Sequence, residues 1–354
     1  MADDIVETRT WRRRDAAPPT EPAAPAGRIT VQAPKGDAPP ADVLAARIRA
    51  SLAGWPVVVL RATGTVNGKA RPGQWRGLWL RSQIGEIIDR TLSREAGLAL
   101  LGVHTPGRVY GGAWAPIALR TSPLGEDRLK PDSDVCIEIV LHGRAAHAAG
   151  ELVRALLNPA GGAAKADGFV RWRTVQHLVC DEGEEPRWRP CAPKVPAALL
   201  AVDRLTEPKI RARRVMVTFQ SPTVIARRGE DGEPWPDFML LVDRMGRTLS
   251  TLLDRSGHTG PRMPDDDLLR AAASARLVAN HTRLVQTPST IAGAEPPRLD
   301  RRSPTPPPEE QLPLLVGSAT FSGDFEGLRP LLRAVSWLGM GPGRQNGLGE
   351  ISIR

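Results

Sequence analysis

Cysteine is scarce in this sequence: Cys136, Cys180 and Cys191 form no CxxC pair, and their number is odd. That argues against a disulfide framework and against a zinc site of the usual cysteine spacing, so the three read as ordinary thiols. Tyrosine is scarcer, with Tyr110 alone, and five phenylalanines accompany nine tryptophans. Stacking platforms for bases are therefore few, and Trp75, Trp79 and Trp172 read first as core residues. No apolar run approaches the length of a bilayer span. The opening stretch MADDIVETRTWRRRD is charged where a secretory leader would be apolar. The expectation is a cytoplasmic protein with no membrane partner. No group of Asp, Glu, His or Cys has convincing metal-ligand spacing, and Asp265-Asp266-Asp267 reads as a solvated helix start. No metal or cofactor is expected.

What the sequence does contain is arginine. Lysine occurs six times among 48 basic residues, which leaves 42 arginines, and the formal net charge is +9 with a pI near 10.2. A strongly basic balance points to an anionic partner, and guanidinium forks suit phosphates and base faces. A GC-rich coding bias would raise Arg, Ala, Gly and Pro together, so the sign of the charge carries more weight than the choice of arginine. With 354 residues, 41% hydrophobic and 25% charged, the chain has the composition of a globular protein of two ordinary domains.

Residues 1–40, rich in proline, alanine and charge, read as a disordered tail. An amphipathic helix is expected at 41–53. Then come a strand at 55–66, a helix at 77–93, strands at 115–124 and 134–143, a helix at 144–158 and a strand at 168–179. This is βαββαβ, the order of a ferredoxin-like unit. A Glu- and Pro-rich linker, 181–212, separates it from a second series. There a strand at 213–226, a helix at 236–257 capped by Gly257 and a helix at 265–278 lead to a strand at 279–287. A loop at 288–311, a strand at 312–323, a helix at 325–339 and a strand at 348–354 complete it. The expected fold class is thus α+β, two tandem ferredoxin-like domains at 41–180 and 213–354.

The most specific feature is the run Gly339-Met340-Gly341-Pro342-Gly343-Arg344-Gln345-Asn346-Gly347-Leu348-Gly349, between the last helix and the last strand. Glycines permit positive φ and close backbone approach, and successive N–H groups of such a loop can cradle phosphate oxygens beside Arg344. A helix cap at Gly339 followed by a turn accounts for one or two of the five glycines. Walker and Rossmann loops precede a helix, whereas this one follows it.

The segment GSATFSGDFEGLRPLLRAVSWLGMGPGRQNGLGEI (317–351) resembles the C-terminal end of the CRISPR precursor-RNA processing endoribonucleases of the RAMP superfamily. TFQSPTVIARRG (218–229) is similar to that family's strand with a Ser/Thr-Pro-Thr turn, and PDFMLLVDRMGRTLSTL (236–252) to the helix after it. The resemblance implies repeat-RNA binding and metal-independent cleavage. A 2′-hydroxyl attacks the neighbouring phosphate, leaving a 2′,3′-cyclic phosphate and a 5′-hydroxyl. CRISPR repeat or guide RNA would be the partner, with other CRISPR effector subunits as further candidates. The loop residues Gly339, Gly341, Gly343, Arg344, Gln345, Asn346, Gly347 and Gly349, with Arg108, are the implied RNA contacts, and Arg81, near the start of the first helix, is a further expected phosphate contact.

Such a cleavage calls for proton transfer near the 2′-hydroxyl or the leaving oxygen. Of six histidines, His104 falls where the family carries Leu-His-x-x-Gly, within LLGVHTPGRVYGG (100–112). His104 is thus the expected base or acid, Tyr110 a weaker catalytic candidate and His281 the reserve. The first helix departs from the family pattern, holding Gly85 and Glu86 where some members carry a tyrosine or histidine. A non-catalytic RAMP subunit that holds guide RNA is therefore the alternative. A ferredoxin-like protein binding a small anion is a third reading, disfavoured by the charge and the five-glycine loop.

Overall fold

Apolar residues at three- and four-residue spacing build the first helix, α1 (Ala41–Leu52), with Leu44, Ile48 and Leu52 buried and Val43 exposed. The computed structural model describes residues 31–70, 76–101, 115–121, 129–158, 168–180, 186–191, 199–205, 213–224, 236–288, 311–344 and 347–354. Strand β1 (Pro56–Val66) follows, then α2 (Arg76–Thr91), α3 (Arg94–Leu101), β2 (Ile117–Arg120) and β3 (Asp134–His142). Next come α4 (Arg144–His147), α5 (Ala149–Leu157), β4 (Val170–Val179), β5 (Arg187–Pro190) and β6 (Leu200–Ala201). The remainder contributes β7 (Arg214–Thr223), α6 (Phe238–Ser256), α7 (Asp265–Ala272), β8 (Arg276–Pro288), β9 (Gln311–Ser322), α8 (Arg329–Leu338) and β10 (Ile351–Ile353).

The fold is mixed α+β with two antiparallel sheets. One has the order β2-β3-β1-β4-β5, with β6 paired to the start of β1; the other has the order β10-β7-β9-β8. In each, the first strand of its half lies between the third and the fourth. No parallel crossover occurs among the described strands.

Successive residues of β1 point to opposite faces, and both faces are covered at its start. Val58, Leu60 and Ala62 pack with Leu80, Ile84 and Ile88 of α2 and Leu152 and Leu156 of α5. Val57 and Val59 face the other way. With Ala118, Val140 and Leu178 they join a second cluster built from α1, α6, α8, β7 and β9. Burial on both faces explains why PVVVL is a continuous apolar run rather than an alternation. The second cluster therefore spans both halves of the chain.

Several expectations need correction. The helix expected at 144–158 is broken at Ala148 into α4 and α5. An extra helix, α3, follows α2. The linker expected at 181–212 supplies β5 and β6, which extend the first sheet. The helix at 41–53, assigned with the first domain, packs on the second half. Ala41 lies under Gly327, where an added Cβ would come within 3.2 Å of its Cα, and Arg47 pairs with Asp267 of α7. Helix α7 stops at Ala272, six residues early, and β8 begins at Arg276.

Phe238 sits at the middle of the shared cluster, its ring 5.0 Å from those of Phe321 and Phe325. Phe321 is fully buried, so Phe321→Ala should cost about 3–5 kcal/mol. Because one core serves both sheets, denaturant melts followed at Trp55 and at Trp337, each in a variant retaining that tryptophan as the reporter, should shift together.

Candidate nucleic-acid interface

The apolar face of α8, including Leu331, Leu332, Val335 and Leu338, fixes the helix on the core, and the glycine run begins where it ends. Gly339 turns the chain at φ 75°, and its N–H returns to Val335 O at 2.8 Å. The loop then folds against itself. Met340 N donates to Gly349 O (2.9 Å), Gly347 N to Arg344 O (3.1 Å) and Leu348 N to Gly343 O (3.3 Å). Other donors reach neighbouring elements: Gly341 N to Thr248 Oγ1 on α6 (3.0 Å), Gly349 N to Pro222 O (3.0 Å) and Glu350 N to Ser221 Oγ (2.8 Å). The Ser221-Pro222-Thr223 end of β7, where the pairing register shifts, thus holds the end of the loop.

Two glycines are there for space as much as for dihedral freedom. A Cβ at Gly349 would collide with Met340 O, and one at Gly347 would come within 2.9 Å of Gly77 Cα at the start of α2. These observations correct the phosphate-cradle expectation for the donors named above: those N–H groups are already spent on the protein itself.

Arg344 corrects the expectation that it would face a phosphate. It is 1% exposed; its guanidinium donates to Leu338 O (2.9 Å) and to Ala115 O (3.2 Å). Leu338 is the last residue of α8, where exposed carbonyls and the helix dipole favour a cation. Burial pushes the Arg344 pKa down to about 9, which leaves it charged at neutral pH. Glu350 is 6% exposed. It accepts from Thr121 N at 3.1 Å and pairs with Arg120 at 3.6 Å. Arg120 also meets Glu138 (3.1 Å) and lies over the Trp337 ring (5.0 Å); Glu138 meets Arg61 (2.7 Å), which lies over Trp188 (3.9 Å). Burial raises the Glu350 pKa, while Arg120 and the Thr121 N–H oppose the rise.

His104, Arg108 and Tyr110 lie outside the described residues, as do Gln345 and Asn346. Ala115, which Arg344 grips, is the first described residue after the His104 segment. Arg81 is 2% exposed on α2, so the expected phosphate contact is corrected: the side chain faces the protein interior. His281 is exposed on β8, opposite Ser318. β8 and β10 are opposite edges of their sheet, three strand spacings or roughly 14 Å apart, so the structure does not bring His281 to the loop's strand. His142 is buried edge-on to Trp55, and burial holds its pKa well below the usual value, with Arg344 adding to the shift. His177 contacts Cys191 Sγ at 3.3 Å. Glu86 pairs with Arg90 one turn on, at 2.6 Å. Among the described residues no three His, Cys, Asp or Glu side chains are grouped to hold a metal ion, and no helix is long and apolar enough to cross a membrane.

Residues 217–351, from β7 through the loop to β10, match the family model of the CRISPR-associated endoribonuclease Cas6. Over this stretch, 135 of 354 residues, the chain is similar to that family. A partial Cas6-RT-Cas1–Cas2 complex is similar in structure, with a TM-score of 0.52 at 11% identity over 85% of this chain and 46% of that one. Thermus thermophilus Cas6 gives 0.49 at 13% identity, covering 85% of this chain and all of that one. At such identities the likeness speaks for the fold alone. Curated protein sequences give no match.

Sequence reasoning missed Glu350, Arg120, Thr248 and Ser221 as partners of the glycine loop. Glu350 left one signal: a carboxylate directly ahead of the apolar strand residues Ile351 and Ile353.

Two outcomes follow from this packing. Gly347→Val should lower the melting temperature, because the branched side chain meets Gly77 whether or not RNA is present; thermal melts of the RNA-free protein test this. For Glu350, a raised carboxyl pKa means the folded state binds a proton more tightly than the unfolded one, so stability falls as pH rises through that window. Glu350→Gln keeps an acceptor and removes the buried charge. It should melt at least as high as the parent at pH 7, with the difference shrinking as pH falls through the glutamate range.

Proposed function

We propose that this chain is an endoribonuclease that binds CRISPR repeat RNA and cuts it to release guide RNAs. The observation that carries this is the Cas6 match over 217–351, which falls on the Ser-Pro-Thr end of β7, the helix after it and the glycine loop that this strand end anchors. The basic balance of the chain, +9, agrees with a polyanionic partner. We read the halves at 41–180 and 213–354 as two ferredoxin-like units, with β5 and β6 added to the first, α1 leaning on the second and residues 1–40 as a tail. Their 2-3-1-4 strand order supports the reading.

The proposed reaction is metal-independent. A 2′-hydroxyl attacks the adjacent phosphate, a base removes its proton, an acid protonates the leaving 5′-oxygen, and cationic groups stabilise the charge that develops. His104 takes the proton-transfer role, with Tyr110 and Arg108 beside it in sequence. The solved neighbour described as a Cas6-RT-Cas1–Cas2 complex suggests other CRISPR proteins as partners. The second reading, a guide-RNA-holding subunit without catalysis, draws on α2: Gly85 is buried without a side chain and Glu86 pairs with Arg90, so the helix carries neither the tyrosine nor the histidine that some members of the family place there.

Cleavage of repeat RNA in excess EDTA, with analysis of the product ends, should give 2′,3′-cyclic phosphate and 5′-hydroxyl termini. A magnesium requirement would end the proposed chemistry. His104→Ala should slow single-turnover cleavage by about 10²–10⁴-fold while leaving repeat affinity nearly unchanged. Tight binding by the unmutated protein without any cutting would hand the case to the second reading.

A further inference from the structure

We propose that the β10-β7-β9-β8 sheet carries a track for single-stranded RNA on the face turned away from the shared core, gripping the phosphodiester backbone; this rests on the RNA-processing reading above. The core face of that sheet is apolar: Val215, Val217 and Phe219 of β7 and Ala319 and Phe321 of β9 join the cluster with α6 and α8. Strand alternation sends the residues between them to the opposite face. There the register sets Ser352 of β10, Thr218 of β7, Ser318 of β9 and His281 of β8 in one row across all four strands. Two rows on, Arg214 and Arg276 flank Ser322, with Thr320 between the rows. Arg283 stands two residues from His281 in the other direction. These side chains are all part-exposed or exposed, and none belongs to an apolar cluster.

An antiparallel sheet commonly leaves one face to water, dressed with charges of both signs. This face has one sign. Arg214, Arg276 and Arg283 are exposed, and none pairs with a carboxylate among the described residues. The carboxylates close to the face in sequence are engaged elsewhere: Glu350 with Thr121 N and Arg120, Asp324 with Glu326 N, and Glu326 with Arg329. Between the arginines the floor is short and hydroxylic. A polyanion matches both features, because guanidinium groups take phosphate oxygens and hydroxyls serve sugars and base edges as donor or acceptor. Apart from His281 these rows present no aromatic ring, so the grip follows the backbone and tolerates sequence. One end of the face is closed by the glycine loop, whose Leu348 packs with Leu314 of β9 and Val285 of β8, in register on this same side. The track runs from there to Ser322, eight residues along β9 or roughly 27 Å. Arg276 and Arg283 also suit the protection of an edge strand, but Arg214 belongs to the inner strand β7, which edge protection does not explain.

The test uses the full chain and a fluorescein-labelled 12-nucleotide oligouridine, with affinity measured across a salt series. Combining Arg214→Gln, Arg276→Gln and Arg283→Gln removes three phosphate contacts, which should flatten the slope of log affinity against log salt by about 2. With the curves meeting near 1 M salt, that flattening is roughly 50-fold in affinity at about 0.15 M. Lysine at the same three positions keeps the charge and should keep the slope. Thr218→Val with Ser318→Ala should weaken binding on the order of tenfold and leave the slope unchanged; this pair carries the test if the glutamine variant does not fold. A charge-matched control replaces the exposed helix residues Arg144, Arg154 and Arg255 with glutamine. Equal losses in the control and the sheet variant would overturn the proposal, since any basic surface would then suffice. Parental affinity in the sheet variant, with larger species in sedimentation, would overturn it in favour of edge protection. A parent that binds no oligouridine would also overturn it. Repeat cleavage is scored separately. A parent that binds oligouridine through these residues but cuts no repeat loses the endoribonuclease reading and keeps the track; one that cuts repeats while the sheet variants bind normally keeps the reading and loses the track.

Discussion

Everything about this molecule's centre follows from one close approach: the backbone of Gly347 lies against the backbone of Gly77, with no side chain between them. That contact carries the C-terminal loop to the start of α2 and the end of β2. A loop taken out of water must place its N–H and C=O groups elsewhere. Here Ser221 and Pro222 at the end of β7, the Thr248 hydroxyl and the loop's own carbonyls receive them. The five glycines provide the left-handed dihedrals that such a path needs, all with φ between 70° and 80°. Nothing bulkier would fit at Gly347 or Gly349.

The order of strands and helices was legible because each strand face or helix stripe left its period in the sequence. What the pattern could not carry was placement. Helix α1 shows a clear apolar stripe, but a stripe does not say which core it joins, and Leu44 and Ile48 join the one built mainly by the second half. Strands β5 and β6 are four and two residues long, too short to show any period against their prolines. The loop was found for the right reason, glycine density, and assigned the wrong environment in part. A sequence shows that backbone donors are exposed to approach; it does not show that Thr248 and Pro222 reach them first. Arg344 is the sharpest case. Arginine in a glycine loop reads as a phosphate ligand, whereas its guanidinium lies inside the protein on two carbonyls.

The same caution applies to charge. A net +9 is a property of the whole chain, but several arginines are committed internally. Arg61 and Arg120 share Glu138 across one row of the first sheet, each also covering a tryptophan, and Arg344 is enclosed. These groups add little to any field felt by an approaching polyanion, because their charge is offset or shielded where they stand. Any basic field offered to an approaching polyanion must come from the other, solvent-facing arginines. The internal ones serve to align strands and to join the halves.

That joining has two parts of different kinds. The shared apolar cluster, where Val57, Val59 and Ala118 meet residues of α6, α8 and β7, supplies most of the cohesion, but apolar burial has no direction and tolerates small slides. The polar contacts at Ala115, Arg120 and Thr121 contribute less to cohesion and much more to register, since a hydrogen bond weakens steeply with misalignment. These contacts join Ala115, Arg120 and Thr121 of the first half to Arg344 and Glu350 of the second. The buried Glu350 and Arg344, each costly to enclose and each spent on a backbone group of the opposite half, are what an otherwise slippery joint would need to hold its geometry.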